Sequence, residues 1–136
     1  VLAKSGLIGI SVGALITMAV QSSSITTSIL IPLVASGLLL VENAYPITLG
    51  ANVGTTVTAL LAAFAAGAVS GLTIAFVHVL FNIYGILILY PIPKIRVIPI
   101  RLAAGLARIA ADRKWVAIAY VGGVFIALPI LIIVVT

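Results

Sequence analysis

The chain has 136 residues, of which 64% are hydrophobic and only 7% are charged, and its mean hydropathy is +1.45. A soluble domain carries about 25% charged residues, so this composition excludes a soluble globule and predicts an all-α integral membrane protein. The chain has no cysteine for a disulfide or thiolate site, and its single histidine and two carboxylates cannot assemble a metal or acid–base centre; no enzyme and no cofactor are expected.

Residues 1–40 are predicted to form a re-entrant helical hairpin. Residues 5–40 are apolar apart from small hydroxyl residues, and they are interrupted once, by Gln21-Ser22-Ser23-Ser24, between the apolar runs 5–20 and 25–40. As a helix, each run would be about 24 Å long, which is short of a hydrocarbon core of roughly 30 Å. Polar backbone at membrane depth has to be buried in protein or face a wet cavity. The alternative is one continuous crossing.

Residues 45–66 are predicted to form a broken transmembrane helix. The small and polar residues of this segment are Gly50, Asn52, Gly54, Thr55, Thr56 and Thr58. Glycine weakens a helix by about 1 kcal/mol relative to alanine, which favours a break at residues 50–54. A new helix would then start with Thr55 as its cap.

Two further transmembrane helices are expected, at residues 72–90 and 115–135, joined by a basic loop over residues 94–114. His78 and Asn82 lie one turn apart in the first of these helices and are interpreted as an interhelical hydrogen-bond pair. The loop, with an amphipathic helix over 100–111, holds most of the Lys and Arg residues, which is the pattern of a cytoplasmic loop rather than of nucleic-acid binding. Counting the membrane crossings back from this cytoplasmic loop then places the open end of the hairpin in the cytoplasm.

The two polar interruptions predict a solute site. The first N–H groups of a helix lack partners and favour an anion, whereas neutral hydroxyl, amide and carbonyl oxygens suit sodium. Neither charge has a fixed counter-charge at membrane depth, so binding the two ions together is favoured, as in a coupled transporter. The isolated hydroxyls of Ser11, Thr17, Ser36 and Thr73 are expected only to make structural hydrogen bonds.

Three stretches of the chain resemble the second repeat of type II sodium–phosphate cotransporters. They are QSSSITTSILIPL, AYPITLGANVGTTVTALLAA and HVLFNIYGILILYPIP, and the resemblance runs from about residue 15 to 135. In that family, two inverted repeats each carry a QSSS motif on a re-entrant hairpin, and phosphate and sodium bind where the repeats meet. The resemblance implies sodium-coupled symport of inorganic phosphate by alternating access, in the plasma or bacterial inner membrane.

The resemblance also implies the site residues. The phosphate motif falls on Gln21, Ser22, Ser23 and Ser24, and the first three of these would also bind sodium. The second motif gives the further sodium ligands Asn52, Thr55, Thr56 and Thr58, of which Thr55 and Thr58 are the strongest candidates. Ala51 departs from the serine of many family members, which leaves the number of sodium ions open.

Only one QSSS repeat is present in residues 1–136. The chain is therefore expected to be a single transport repeat and a fragment of a two-repeat transporter. Its expected partners are sodium, phosphate, the lipid bilayer and the missing first repeat; a second copy in an antiparallel dimer is the alternative. Two other functions stay open: a sodium-coupled symporter of sulfate or a carboxylate, and a non-transporting membrane assembly subunit with continuous helices at 15–28 and 47–60.

Overall fold

The computed structural model describes residues 2–67 and 69–135, with side chains from residue 6 onward. Across these residues the chain is helical apart from short turns, which confirms the all-α class. The chain divides into two compact units, Val1–Arg96 and Val97–Thr136. Three helical spans are long and apolar enough to cross a membrane: Val41–Ala66, Val69–Leu89 and Lys114–Val135.

The first unit begins with two short helices, α1 (Leu2–Val20) and α2 (Ser23–Ala35), separated by Gln21 and Ser22. One continuous helix through this region is therefore wrong. Helix α2 ends earlier than the predicted Leu40, because Gly37 adopts a left-handed conformation with φ of 76° just after the C-cap Ser36. Among the described residues, the apolar stretches of these two helices are Gly6–Val20 and Ser23–Ala35, each of 10–17 residues.

The third helix, α3 (Val41–Ala66), is unbroken, so the predicted break at residues 50–54 and the predicted cap at Thr55 are both wrong. The Thr55 hydroxyl donates instead to the Ala51 carbonyl one turn back, at 3.1 Å. Helix α3 ends in a left-handed glycine, Gly67, with φ of 64°. Two glycines four residues apart weaken a helix but do not break it when the helix is held by its neighbours.

The glycines of α3 are explained by its packing against α1. A Cβ on Gly50 would overlap the backbone carbonyl of Ile10, and a Cβ on Gly54 would lie only 2.6 Å from the Ala14 carbonyl oxygen. Reciprocally, a Cβ on Gly13 of α1 would overlap the carbonyl of Ile47. The two backbones thus meet along a seam of small residues at four-residue spacing, the arrangement that brings membrane helices into close contact.

Helix α4 (Val69–Leu89) is the last helix that lies wholly in the first unit. It begins before the predicted residue 72 and ends just before the predicted residue 90, at Tyr90-Pro91. Tyr90 lies near the start of α3, where its ring centroid is 6.4 Å from that of Tyr45. The Arg96 guanidinium lies over the Tyr90 ring, 5.5 Å from its centroid. This aromatic and cationic cluster lies at one end of the α3–α4 pair.

The basic segment is mostly helical rather than a loop: α5 runs from Pro93 to Asp112. The proline at its first position is typical of a helix start. In the second unit, α6 (Lys114–Gly122), a π-helical turn (Gly123–Ala127) and α7 (Leu128–Val135) follow one another in a single span. Pro129 has no N–H to donate to Phe125, which accounts for the local change to i→i+5 bonding, with the Leu128 N–H donating to the Gly123 carbonyl.

Candidate functional site

The turn between α1 and α2 is a sharp backbone reversal held by its own hydrogen bonds. Gln21 has φ of 57°, the only positive φ among the described non-glycine residues. Its N–H donates to the Thr17 carbonyl at 2.6 Å. Ser22 then caps α2, because its Oγ accepts a hydrogen bond of 3.3 Å from the Ile25 N–H. The left-handed residue ends one helix and the cap begins the next.

A chain of hydroxyls ties the two helices together behind this turn. The Thr17 hydroxyl donates to Thr26 Oγ1 at 2.9 Å, and the Thr26 hydroxyl donates to the Ser22 carbonyl at 3.1 Å. Both threonines are buried, with exposed fractions of 0% and 2%. The structural role expected of Thr17 is thus confirmed, and Ser36 and Thr73 likewise donate to carbonyls of their own helices.

Two open cavities surround the turn. The turn groove, of about 550 Å³, is lined by Met18, Gln21, Thr55, Thr58, Ala59, Leu61 and Ala62. The α4 groove, of about 310 Å³, is lined by Ser23, Asn52, Thr55, His78 and Asn82. Because Thr55 lines both, the grooves are adjacent, and α3 presents its polar residues to Gln21 on one side and to Ser23 on the other.

The threonine hydroxyls of α3 donate their protons within the helix. Thr55 donates to the Ala51 carbonyl, and Thr58 donates to the Thr55 carbonyl at 2.7 Å. A hydroxyl oxygen has two lone pairs besides its proton, so these oxygens remain acceptors toward the grooves. Acceptor oxygens without formal charge are suitable partners for a hard monovalent cation.

The N-terminus of α2 offers the opposite chemistry. The N–H groups of Ser23 and Ser24 occupy the first positions of a 13-residue helix, where no carbonyl one turn back is available within the helix. These N–H groups and the helix dipole carry partial positive charge. Ser23 borders the α4 groove, so donors of α2 and acceptors of α3 face neighbouring space.

Five of the residues predicted to bind solute therefore come together around the two grooves: Gln21, Ser23, Asn52, Thr55 and Thr58. The others do not line either groove. The Ser22 hydroxyl is the cap of α2, and Ser24 lies in a separate apolar depression with Ile29 and Pro32. Thr56 is fully buried and donates to the Val53 carbonyl at 2.7 Å.

Ala51, where the resemblance leads one to expect serine, is also fully buried. Its methyl group is enclosed by the helix packing, and its carbonyl takes part in the polar network as the acceptor for Thr55. The alanine therefore removes no hydroxyl from the lining of the two grooves.

Sequence reasoning missed the contribution of α4. The interpretation of His78 and Asn82 as an interhelical hydrogen-bond pair is wrong, because the Asn82 amide donates to the backbone carbonyl of His78 in the same helix, at 3.4 Å. Both side chains line the α4 groove together with Ser23, Asn52 and Thr55. Their four-residue spacing in a strongly apolar helix is the signal that identifies them, since an ionisable residue in a membrane helix indicates a functional site.

No lysine, arginine, aspartate or glutamate side chain is part of the described lining of the two grooves. Among the described residues, no group of three or more His, Cys, Asp or Glu side chains could hold a metal ion. Any ion bound here would depend on helix dipoles, amides and hydroxyls.

Comparison with known proteins gives consistent matches. The sequence profile of the Na+/Pi-cotransporter family matches residues 1–90. Sodium-dependent phosphate transport protein 2B of Homo sapiens is 49% identical over 129 residues, which cover 93% of this chain and 19% of that protein. Sodium-dependent phosphate transport protein 2A of Oryctolagus cuniculus is 46% identical over 131 residues, covering 94% of this chain and 20% of that protein.

The chain thus spans about a fifth of the length of the curated relatives that it matches. No solved structure shows significant similarity to the chain.

Proposed function

The chain belongs to the Na+/Pi-cotransporter family, and from this premise we propose that it forms one repeat of a sodium-coupled phosphate symporter. The family consists of transporters rather than enzymes, and its members are multi-pass proteins of the plasma membrane. The three membrane-length helices found among the described residues agree with that location.

One observation carries the proposal: Thr55 lines both the groove at Gln21 and the groove at Ser23. The QSSS turn and the threonines of α3 therefore face adjoining space instead of lying in unrelated parts of the unit. This supports a composite site in which α2 supplies donors and α3 supplies acceptors.

Phosphate would bind at the start of α2. The N–H groups of its first turn and the Ser23 hydroxyl are donors, and a helix N-terminus favours an anion. The side-chain amide of Gln21 would add a further donor from the adjoining groove. None of the described residues that line the two grooves is a lysine or an arginine, so the anion would be held by dipoles and hydrogen bonds.

Sodium would bind nearby, at the oxygens of Thr55, Thr58 and Asn52. The two threonine protons are held by carbonyls of α3, which leaves the oxygen lone pairs for a cation. A cation next to an anion in a poorly hydrated site stabilises both, because neither then lacks a counter-charge. This mutual dependence is a physical basis for coupled uptake.

The proposed membrane arrangement has α1 and α2 as a re-entrant hairpin open to the cytoplasm, the side that bears the basic helix α5. Helix α2, with 13 residues, is too short to cross, and the polar turn between the two helices would lie at depth, facing a wet cavity. A second, inverted repeat, or a second copy of this chain, would complete the site. Movement between the two repeats would then open the site to one side of the membrane and afterwards to the other.

The proposal is tested by sodium-dependent phosphate uptake in cells that express the full-length protein. Ser23→Ala and Thr55→Ala are each expected to lower kcat/KM for phosphate by about tenfold, the loss that corresponds to one hydrogen bond or ligand of about 1–1.5 kcal/mol. The matched controls Ser36→Ala and Thr73→Ala remove hydroxyls that bond only within their own helices, and should transport normally. Normal uptake by both site variants, at wild-type surface abundance, would overturn the proposal.

The identity of the anion is tested separately, by competition. Unlabelled phosphate should suppress uptake of labelled phosphate, whereas equal concentrations of sulfate or succinate should not. Suppression by sulfate or succinate as strong as that by phosphate would replace phosphate with a broader class of small anions.

A further inference from the structure

Helix α4 brings an ionisable side chain to the proposed solute site. His78 lines the same cavity as Ser23 of α2 and as Asn52 and Thr55 of α3. Three helices thus contribute to one polar space of about 310 Å³. Neither the QSSS motif nor the threonine-rich motif of α3 includes a residue of α4.

The rest of α4 makes this position unusual. The helix is strongly apolar, with exposed side chains such as Phe76, Val77 and Leu80 around the histidine. Within the part of the chain that the structure describes, the imidazole makes no hydrogen bond to another side chain; only the backbone carbonyl of His78 accepts one, from Asn82. An ionisable group inside a membrane segment is costly unless it serves a partner or a solute.

We propose that His78 is a solute-binding residue that donates a ring N–H to the phosphate held at Ser23. The inference rests on the proposed phosphate function of this site. A phosphate oxygen accepts well from imidazole, and the N–H groups at the start of α2 would contact the same anion, because Ser23 and His78 line one groove. His78 thereby adds a side-chain donor to an anion site that otherwise consists of dipoles.

The described lining of the groove contains no lysine, arginine or carboxylate side chain. The groups that share the groove with His78 are the neutral side chains of Ser23, Asn52, Thr55 and Asn82. Helix α2 has no charged residue, and the charged residue of α3, Glu42, lies in its first turn, about 15 Å along the axis from Asn52. No carboxylate in the described lining therefore competes with phosphate for the His78 N–H.

The experiment measures phosphate uptake by the full-length protein as a function of phosphate concentration. His78→Ala is expected to raise the KM for phosphate about tenfold with kcat within about twofold. His78→Gln, whose side-chain amide can also donate a hydrogen bond, is expected to restore much of the KM.

Tyr84→Phe is the matched control, because Tyr84 is an exposed polar residue of the same helix that lines none of the grooves around the site. A His78→Ala protein with the KM for phosphate of the Tyr84→Phe protein would overturn the inference.

The two proposals fail in different ways. If Ser23→Ala loses uptake while His78→Ala behaves as the control does, the phosphate site stands and the role of His78 is wrong. If Ser23→Ala and Thr55→Ala both transport normally, the proposed site itself fails, whatever the result at position 78.

Discussion

The QSSS turn and the glycine-rich stretch of α3 both interrupt an apolar run, but the first is a turn between two helices and the second is continuous helix. Each places small and polar residues within an apolar run, yet the chain breaks at Gln21 and Ser22 and stays helical through Gly50 and Gly54. At the turn, a left-handed residue and a capping serine replace helical hydrogen bonds. In α3, the missing side chains let the backbone of α1 approach.

Glycine has two roles in the first unit, and the packing of the helices is what separates them. Gly37 and Gly67 lie just after helix ends and adopt a left-handed conformation, whereas a glycine on one helix face permits close packing. Gly50 and Gly54 share a face with Pro46, and all three are buried. Their contact with the backbone of α1 identifies them as part of a helix interface rather than a helix end.

The largest expected effect comes from filling the seam. Gly50→Ala should lower the free energy of unfolding by about 2–3 kcal/mol, because the new methyl group meets the backbone of Ile10 and no side chain can move away. Thermal unfolding of the purified full-length protein in detergent measures it. If residues 50–54 were instead a helix break, the alanine would be tolerated.

Gly85→Ala in α4 provides the control for that prediction. No atom lies within 4 Å of a Cβ added at Gly85, so the substitution should be neutral or stabilise by up to about 1 kcal/mol through helix propensity. Equal destabilisation by Gly50→Ala and Gly85→Ala would show that contact with the backbone of α1 is not the cause of the cost at Gly50.

A smaller effect is expected from the hydroxyl chain behind the turn. Thr26→Val should cost about 1–3 kcal/mol, because it leaves the buried Thr17 hydroxyl without its acceptor. Thr73→Val, which removes an exposed hydroxyl bonded within α4, should change stability by less than about 0.5 kcal/mol. Equal melting temperatures for the two variants would contradict the role assigned to the Thr17–Thr26 bond.

The smallest effect on stability is expected at the turn itself. Gln21→Gly should leave the unfolding free energy unchanged or raise it by up to about 1 kcal/mol, since glycine adopts φ of 57° without strain. Sodium-dependent phosphate uptake should nevertheless fall, because the amide that lines the turn groove is lost. A stable Gln21→Gly protein with full uptake would show that only the geometry of the turn matters.

Much of this arrangement could be predicted from the sequence. The short apolar runs around Gln21, the stop at Tyr90-Pro91 and the pairing of the turn with the Thr55 region all follow from segment length, turn chemistry and resemblance. The unbroken α3 does not, because it depends on which glycines face α1. The position of His78 in the groove also could not be predicted, because it depends on how α4 is rotated about its own axis. A helix with few polar residues has no distinct polar face from which that rotation could be predicted.

The central claim is that solute binds beside Ser23, and protection of a cysteine placed there tests it most directly. Residues 1–136 contain no cysteine, so Ser23→Cys would be the only thiol in this segment of a full-length protein cleared of other reactive cysteines. Ser36→Cys, at the far end of α2, is the control. We predict that a water-soluble thiol reagent labels position 23, and that sodium and phosphate together slow this labelling without affecting position 36. Labelling at position 23 that is indifferent to both solutes, in a protein that still transports phosphate, would contradict the account.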